Sequence, residues 1–167
     1  NKFKFDSIFI PNWSFYSYIN DKDTINKKLK FAYLGTISVS HNIIELIKNF
    51  QKLDIEFEFY ISFRPRYRKF FDKLIKDQRF KIINYLSDDD FIKFIQKMDV
   101  CIVSEKKYQN QYLFPSKVIT YISNNKFILY HGNMNSYLYK ILFEYEKFIF
   151  LNTEKKFDVN FYNNLDK

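Results

Sequence analysis

The chain has 167 residues, enough for one domain with a full apolar core and too few for two domains of ordinary size. Aromatic residues make up 22% of it, 21 Phe and 14 Tyr against 2 Gly and a lone alanine at Ala32, which is the usage of A/T-rich codons before it is a sign of function. The net charge of +8 is spread over scattered lysines and reads as a solvated basic surface before a dedicated site for nucleic acid or an anionic membrane; the single cysteine excludes an internal disulfide framework, and no apolar run is long enough to span a bilayer.

The first thirty residues combine a short apolar piece, a turn at Pro11-Asn12 and a polar run without periodicity, so residues 1–29 read as a connector and 30–167 as the domain proper. From Lys30 onward strand-like and helix-like pieces alternate. "KFAYLGTIS" is a strand entering a turn at Gly35, and "HNIIELIKNFQKL" follows with Ile43, Ile47, Phe50 and Leu53 at helical spacing. "IEFEFYIS" alternates apolar and polar residues, the mark of a strand with one less buried face, and "RPRYRKFFDKLIKD" reads as a helix opened by Pro65. "RFKIINYLS" is the third strand, and Ser87 with Asp90 makes a capping box for the helix "DDDFIKFIQKM". Strand "DVCIVS", helix "SKVITYISN", strand "KFILYHG", helix "SYLYKILFEY" and strand "KFIFLN" complete the series. About six strands in such alternation predict an α/β fold, a doubly wound, Rossmann-like parallel sheet with helices on both faces, because crossover helices are what join parallel neighbours.

In an open parallel sheet the ligand crevice lies outside the carboxyl ends of the strands. The loops there are "GTISVSH", "SFRPR", "YLSDDD", "SEKKYQNQYLFPSK" and "HGNMNS". The fourth ends in Pro115, Ser116 and Lys117 at a helix start, where a positive dipole end, unpaired N–H groups and a cation together suit a phosphate. Ordinary capping with a solvated lysine is the plain alternative. Gly35, Thr36 and Ser38 follow the first strand without a G-x-G-x-x-G or Walker pattern, which disfavours a nicotinamide dinucleotide or P-loop nucleotide site. Arg64, Arg66 and Arg68 stand at the second strand's mouth, either as a diphosphate clamp or as a basic helix start. Asp88, Asp89 and Asp90 read as helix N-terminal charge, and Cys101 as a small buried hydrophobe. His41 and His131 are far apart and no CxxC exists, so a structural zinc site is not expected; no histidine stands beside a nucleophile, and His131 at the end of the fifth strand either faces the crevice or, more commonly for such a residue, is simply satisfied there.

The order of these segments resembles the C-terminal, donor-binding domain of GT-B fold glycosyltransferases of the retaining group that includes capsule and O-antigen polysaccharide transferases. The likeness is carried by "IFIPNWS" as the connector into the domain, "FAYLGTIS", "NYLSDDDFIKFIQKMDVCIVS" and "FPSKVITYISNNKFILYHG", the last similar to a Pro-Ser-Lys helix followed by a turn and strand. It implies a nucleoside-diphosphate sugar donor, a glycan or lipid-linked acceptor bound by an N-terminal domain that this chain lacks, no metal or other cofactor, no nucleic acid partner, and a bacterial cytoplasmic setting that extends to the periphery of the inner membrane. Catalytic residues are not identified, and this piece alone is expected to be inactive. The donor site it implies holds the leaving diphosphate at Pro115, Ser116 and Lys117 with help from Gly35 and Thr36, brackets the base with Tyr85 and Leu86, and places Thr120 near the ribose. Relatives carry two glutamates with seven residues between them where this chain has Tyr112 and Thr120, and the basic residues that usually follow the first strand are absent, so Lys117, Arg64 and Arg66 are the compensating candidates. Asn124-Asn125 replaces the usual glycine turn. The rival reading is a non-catalytic α/β module that binds protein or nucleic acid through the basic stretch "RPRYRKFFDKLIKDQR".

Overall fold

The computed structural model describes residues 28–35, 42–105 and 115–152. The connector up to residue 27, Thr36, Ser38, His41, Tyr112 and the residues after 152 lie outside the described residues. The elements are β1 (Leu29–Leu34), α1 (Ile43–Gln51), β2 (Phe57–Ser62), a 3-10 turn (Pro65–Tyr67) leading into α2 (Arg68–Leu74), β3 (Phe80–Ile83), α3 (Asp88–Gln96), β4 (Val100–Ser104), α4 (Ser116–Ser123), β5 (Phe127–Gly132), α5 (Tyr137–Leu142) and β6 (Phe148–Asn152). Each falls inside the segment expected of it except β1, which starts one residue early: Leu29, assigned to the connector, pairs with Phe57 of β2. Pro65 opens a 3-10 turn, not the first turn of one continuous helix.

All six strands are parallel, in the order β3-β2-β1-β4-β5-β6. The chain winds outward from β1 to β3, then crosses back to β4 beside β1 and winds the other way, so the switch point lies between β1 and β4. Burial explains the strand sequences. The central strand β4, "VCIVS", is buried at every position and is apolar from Val100 to Val103, whereas β2 alternates buried Phe57 and Phe59 with half-buried Glu58 and Tyr60. Cys101 is fully buried, and burial pushes its thiol pKa up to about 12, so it packs as a small apolar group.

Two cores form, one on each face. Under α1 and α2, Phe31, Phe50, Phe57, Phe59 and Phe80 interlock, with ring centroids from 4.8 to 6.4 Å apart. Under α3, α4 and α5, Ala32, Leu34, Ile95, Val103, Val118, Tyr121, Tyr130, Leu138 and Leu142 meet. The caps work as the sequence predicts: the Ser87 hydroxyl accepts from Asp90 N–H at 3.3 Å, and Asn125 closes the α4–β5 turn at φ 54°.

One residue changes its reading. Arg79 ends the basic stretch of the rival reading, yet it lies past α2 and is consumed internally. Its guanidinium donates to Leu53 O at 2.5 Å, Ile55 O at 2.8 Å and Gln51 O at 3.2 Å, pairs with Asp77, and lies 4.4 Å over the Phe57 ring. These bonds hold the Asp77 carboxyl below the usual carboxylate range. The cleft of about 480 Å³ beside it, lined by Lys52, Asp54 and Glu56 among others, sits at the amino ends of β2 and β3 and so at the wrong end for the crevice. Arg79→Lys cannot reproduce a planar fork shared among three carbonyls and a carboxylate, and should cost about 2–4 kcal/mol in urea unfolding. An unchanged midpoint would show that the clamp is not needed.

Candidate functional site

At the carboxyl end of β1 the chain turns at Gly35 with φ +131°, a conformation in which any side chain is strained. Lys117 comes from α4, on the far face, and reaches over the end of β1. Its ammonium donates to Leu34 O at 3.1 Å and lies 4.8 Å over the ring of Tyr33, which belongs to the opposite core. A Cβ on Gly35 would stand 3.6 Å from that ammonium. Gly35 and Lys117 are 82 positions apart in the sequence, and both stand at the β1–β4 switch point.

Lys117 is therefore not the solvated lysine of the plain alternative. It is half-buried, and desolvation pulls its pKa from 10.5 down to about 8, with Cys101 and Glu105 opposing that fall. Among the described residues its one hydrogen-bond partner is a carbonyl and Glu105 interacts with it only through its charge, so the ammonium has donors left for an anion. The helix start adds donors. Pro115 occupies the N-cap, Val118 N–H is already turned to Pro115 O at 3.0 Å, and the N–H groups of Ser116 and Lys117 precede the helical ladder. Ser116 does not cap: it is exposed at the first helical position, because the proline takes the cap and accepts no side-chain bond. Thr120 follows one turn along, half-buried, its carbonyl engaged by Asn124 Nδ2 at 2.8 Å.

The remaining predicted residues stand on the same rim, apart from this notch. Arg64 caps the 3-10 turn at the exit of β2 and is exposed. Arg66 lies 4.8 Å over the Tyr67 ring, and Arg68 pairs with Asp72, so Arg68 is a helix-start charge on a solvated flank. Tyr85 is 58% exposed beyond β3 and Leu86 is half-buried against α3, with Ser62 Oγ tying this exit to β2 through Asn84 O at 3.1 Å. Among the described residues no hydrogen bond or ion pair joins Arg64 or Tyr85 to Lys117.

Two buried polar groups at this edge were not legible in sequence. Parallel register sets Ser104 opposite His131, and Ser104 Oγ lies 3.0 Å from His131 Nδ1. His131 is thus a buried histidine satisfied at a strand end: 27 residues of separation vanish when β4 and β5 pair. Burial drags the His131 pKa from 6.5 down to about 4, with Glu45 only partly opposing it. Stability is then full above pH 6.5 and falls toward pH 4, by up to about 3 kcal/mol, because in that window the unfolded chain binds a proton that the folded chain refuses. Urea unfolding at pH 7 and pH 4.5 should show this drop shrinking in His131→Gln; an identical drop in that variant would assign it to other groups.

The second group is Glu105, 9% exposed at the end of β4. The Tyr130 hydroxyl donates to its Oε2 at 2.9 Å and also lies 2.7 Å from Ser136 Oγ, which caps α5 by accepting from Tyr139 N–H at 3.0 Å. Burial raises the Glu105 pKa, while the Tyr130 bond and the Lys117 charge hold it back. The one sequence signal was the carboxylate directly abutting an apolar strand.

No protein-family model matches the sequence, and no curated protein matches it. Among solved structures the chain is similar to the apo form of the lipopolysaccharide outer core galactosyltransferase WaaB, with a TM-score of 0.50 and 14% identity over 90% of this chain and 53% of that one. The chain thus spans about half the length of that enzyme's chain. At such identity the likeness is one of fold alone: a doubly wound α/β architecture.

Proposed function

We propose that this chain is the nucleotide-sugar donor domain of a retaining GT-B glycosyltransferase of hexosyltransferase type. The observation that carries the reading is the Lys117 ammonium, held across the switch point between Leu34 O and Gly35 where an open sheet of this winding takes its ligand. Lys117, the helix-start N–H groups and Ser116 would hold the diphosphate, with help from Gly35 and Thr36. As the bond from the anomeric carbon to the diphosphate oxygen breaks, the electron pair leaves on the phosphate, and a cation fixed there beforehand stabilises it most when the charge is greatest. That role needs no metal. Tyr85 and Leu86 would bracket the base, and Thr120 would lie near the ribose.

The acceptor, a glycan or lipid-linked sugar of a bacterial surface polysaccharide, would be bound by a second domain, and the whole protein would work in the cytoplasm at the inner membrane's periphery. The similarity to an enzyme of the lipopolysaccharide outer core supports that direction.

Thermal melts with UDP, GDP, CMP and pyrophosphate test the donor reading. Stabilisation is expected with at least one nucleoside diphosphate and, more weakly, with pyrophosphate. Melting unmoved by all four, together with salt-sensitive oligonucleotide binding, would sink it in favour of the rival module.

A further inference from the structure

The chain contains 23 lysines but only four arginines, and three of these, Arg64, Arg66 and Arg68, fall within five residues at the exit of β2. A codon bias that multiplies lysine does not gather arginines. From Arg64 to Lys76 six cations face one acid, a net +5 within a chain of +8. That acid, Asp72, is held by Arg68 Nε at 3.1 Å. Arg64, Arg66, Lys69, Lys73 and Lys76 are all exposed.

The same segment exposes an aromatic ring. Tyr67, Phe71, Leu74 and Ile75 pack onto the core under α1 and α2, so helical geometry turns Lys69, Phe70 and Lys73 outward. Phe70 is 50% exposed, standing edge-on to buried Phe71 at 5.1 Å. Burying that ring elsewhere would be favourable, and none of the described residues does it.

We infer that the Arg64–Lys76 face docks on an anionic lipid bilayer. A ring standing between cations suits a boundary where the apolar group enters the acyl edge and long basic side chains stay among anionic headgroups. A nucleic acid strand is the poorer fit, since single strands bind grooves with successive stacking platforms. Here one ring stands on a seven-residue helix, and the other exposed aromatics among the described residues, Tyr85 and Phe143, lie on other segments. Arg64 leads directly from the carboxyl end of β2, so docking through this face brings the Gly35–Lys117 rim toward the headgroups. The inference does not depend on the donor site, and the two are tested separately.

Vesicles of phosphatidylcholine, with and without phosphatidylglycerol, are mixed with the full chain and sedimented. Binding is expected only with phosphatidylglycerol and should fade as salt rises. Lys69→Glu/Lys73→Glu should weaken it about thirtyfold and Phe70→Ala several-fold, with melting temperatures unchanged because these side chains are exposed. Phe70→Trp should shift its emission to the blue on phosphatidylglycerol vesicles. The inference is overturned by failure to bind phosphatidylglycerol, by equal binding of the charge-reversed variant, by an unshifted Phe70→Trp spectrum, or by oligonucleotide binding while vesicles are ignored. Nucleotide melts unaffected by these substitutions would show the two sites succeeding or failing independently.

Discussion

Lys117→Met should cut affinity for a nucleoside diphosphate by about a hundredfold and leave affinity for the nucleoside within about twofold. The reasoning starts from the position of the ammonium. It is held on Leu34 O with an aromatic face beneath it, and its charge is poorly hydrated, as the fall of its pKa to about 8 records. Such a cation gains more from a phosphate than a surface lysine does, because less hydration has to be removed. Methionine keeps the length and packing, so stability should hold or rise slightly while the anion's partner is lost. The pH dependence has a definite sign. With a nucleotide-sugar, whose diphosphate does not titrate near neutrality, affinity should be flat below about pH 7 and fall toward tenfold per unit above pH 8 as Lys117 loses its proton, and the Met variant should show no such fall. Equal losses for nucleoside and nucleoside diphosphate in the titration would remove Lys117 from the phosphate site.

Gly132→Ala should destabilise the fold by about 3–5 kcal/mol, more than most single substitutions do. Gly132 is needed for space rather than for backbone conformation. A Cβ there would stand 2.8 Å from Tyr130 Cε2 and closer still to its Cζ and hydroxyl. The ring is fully buried and cannot swing aside. Its hydroxyl joins Glu105, Ser136 and Asn133 N–H, so displacing it also strips a buried carboxylate of its partner and loosens the cap of α5. Urea unfolding measures the loss. Combining Gly132→Ala with Tyr130→Leu should cost clearly less than the two single changes added together, because the methyl then finds room. Strict additivity would mean that the ring and the glycine do not compete for one volume.

The order of elements was readable because each carries its own period. Ile43, Ile47 and Phe50 recur at helical spacing and are buried, and β2 alternates as a strand with one less buried face should. The local signals at ends also hold, with Ser87 capping α3 and Asn125 in the left-handed region. Gly35 and Lys117 were both singled out, yet their proximity was not. Nor was the fate of Arg79, whose charge looked like part of a basic surface until three carbonyls and a carboxylate claimed it. Composition counts a charge without saying what it faces.

What the amino-acid order determines here is therefore what operates over a few residues: periodicity, caps, turns, and from their alternation a parallel doubly wound sheet. What tertiary structure alone decided is every relation across the sheet. Strand order placed β1 beside β4 and so brought Lys117 to Gly35; strand register set Ser104 opposite His131; and packing folded Tyr130 back over Gly132. These pairings depend on which strands become neighbours, a choice made by the burial of both sheet faces at once, and no local stretch of sequence encodes it.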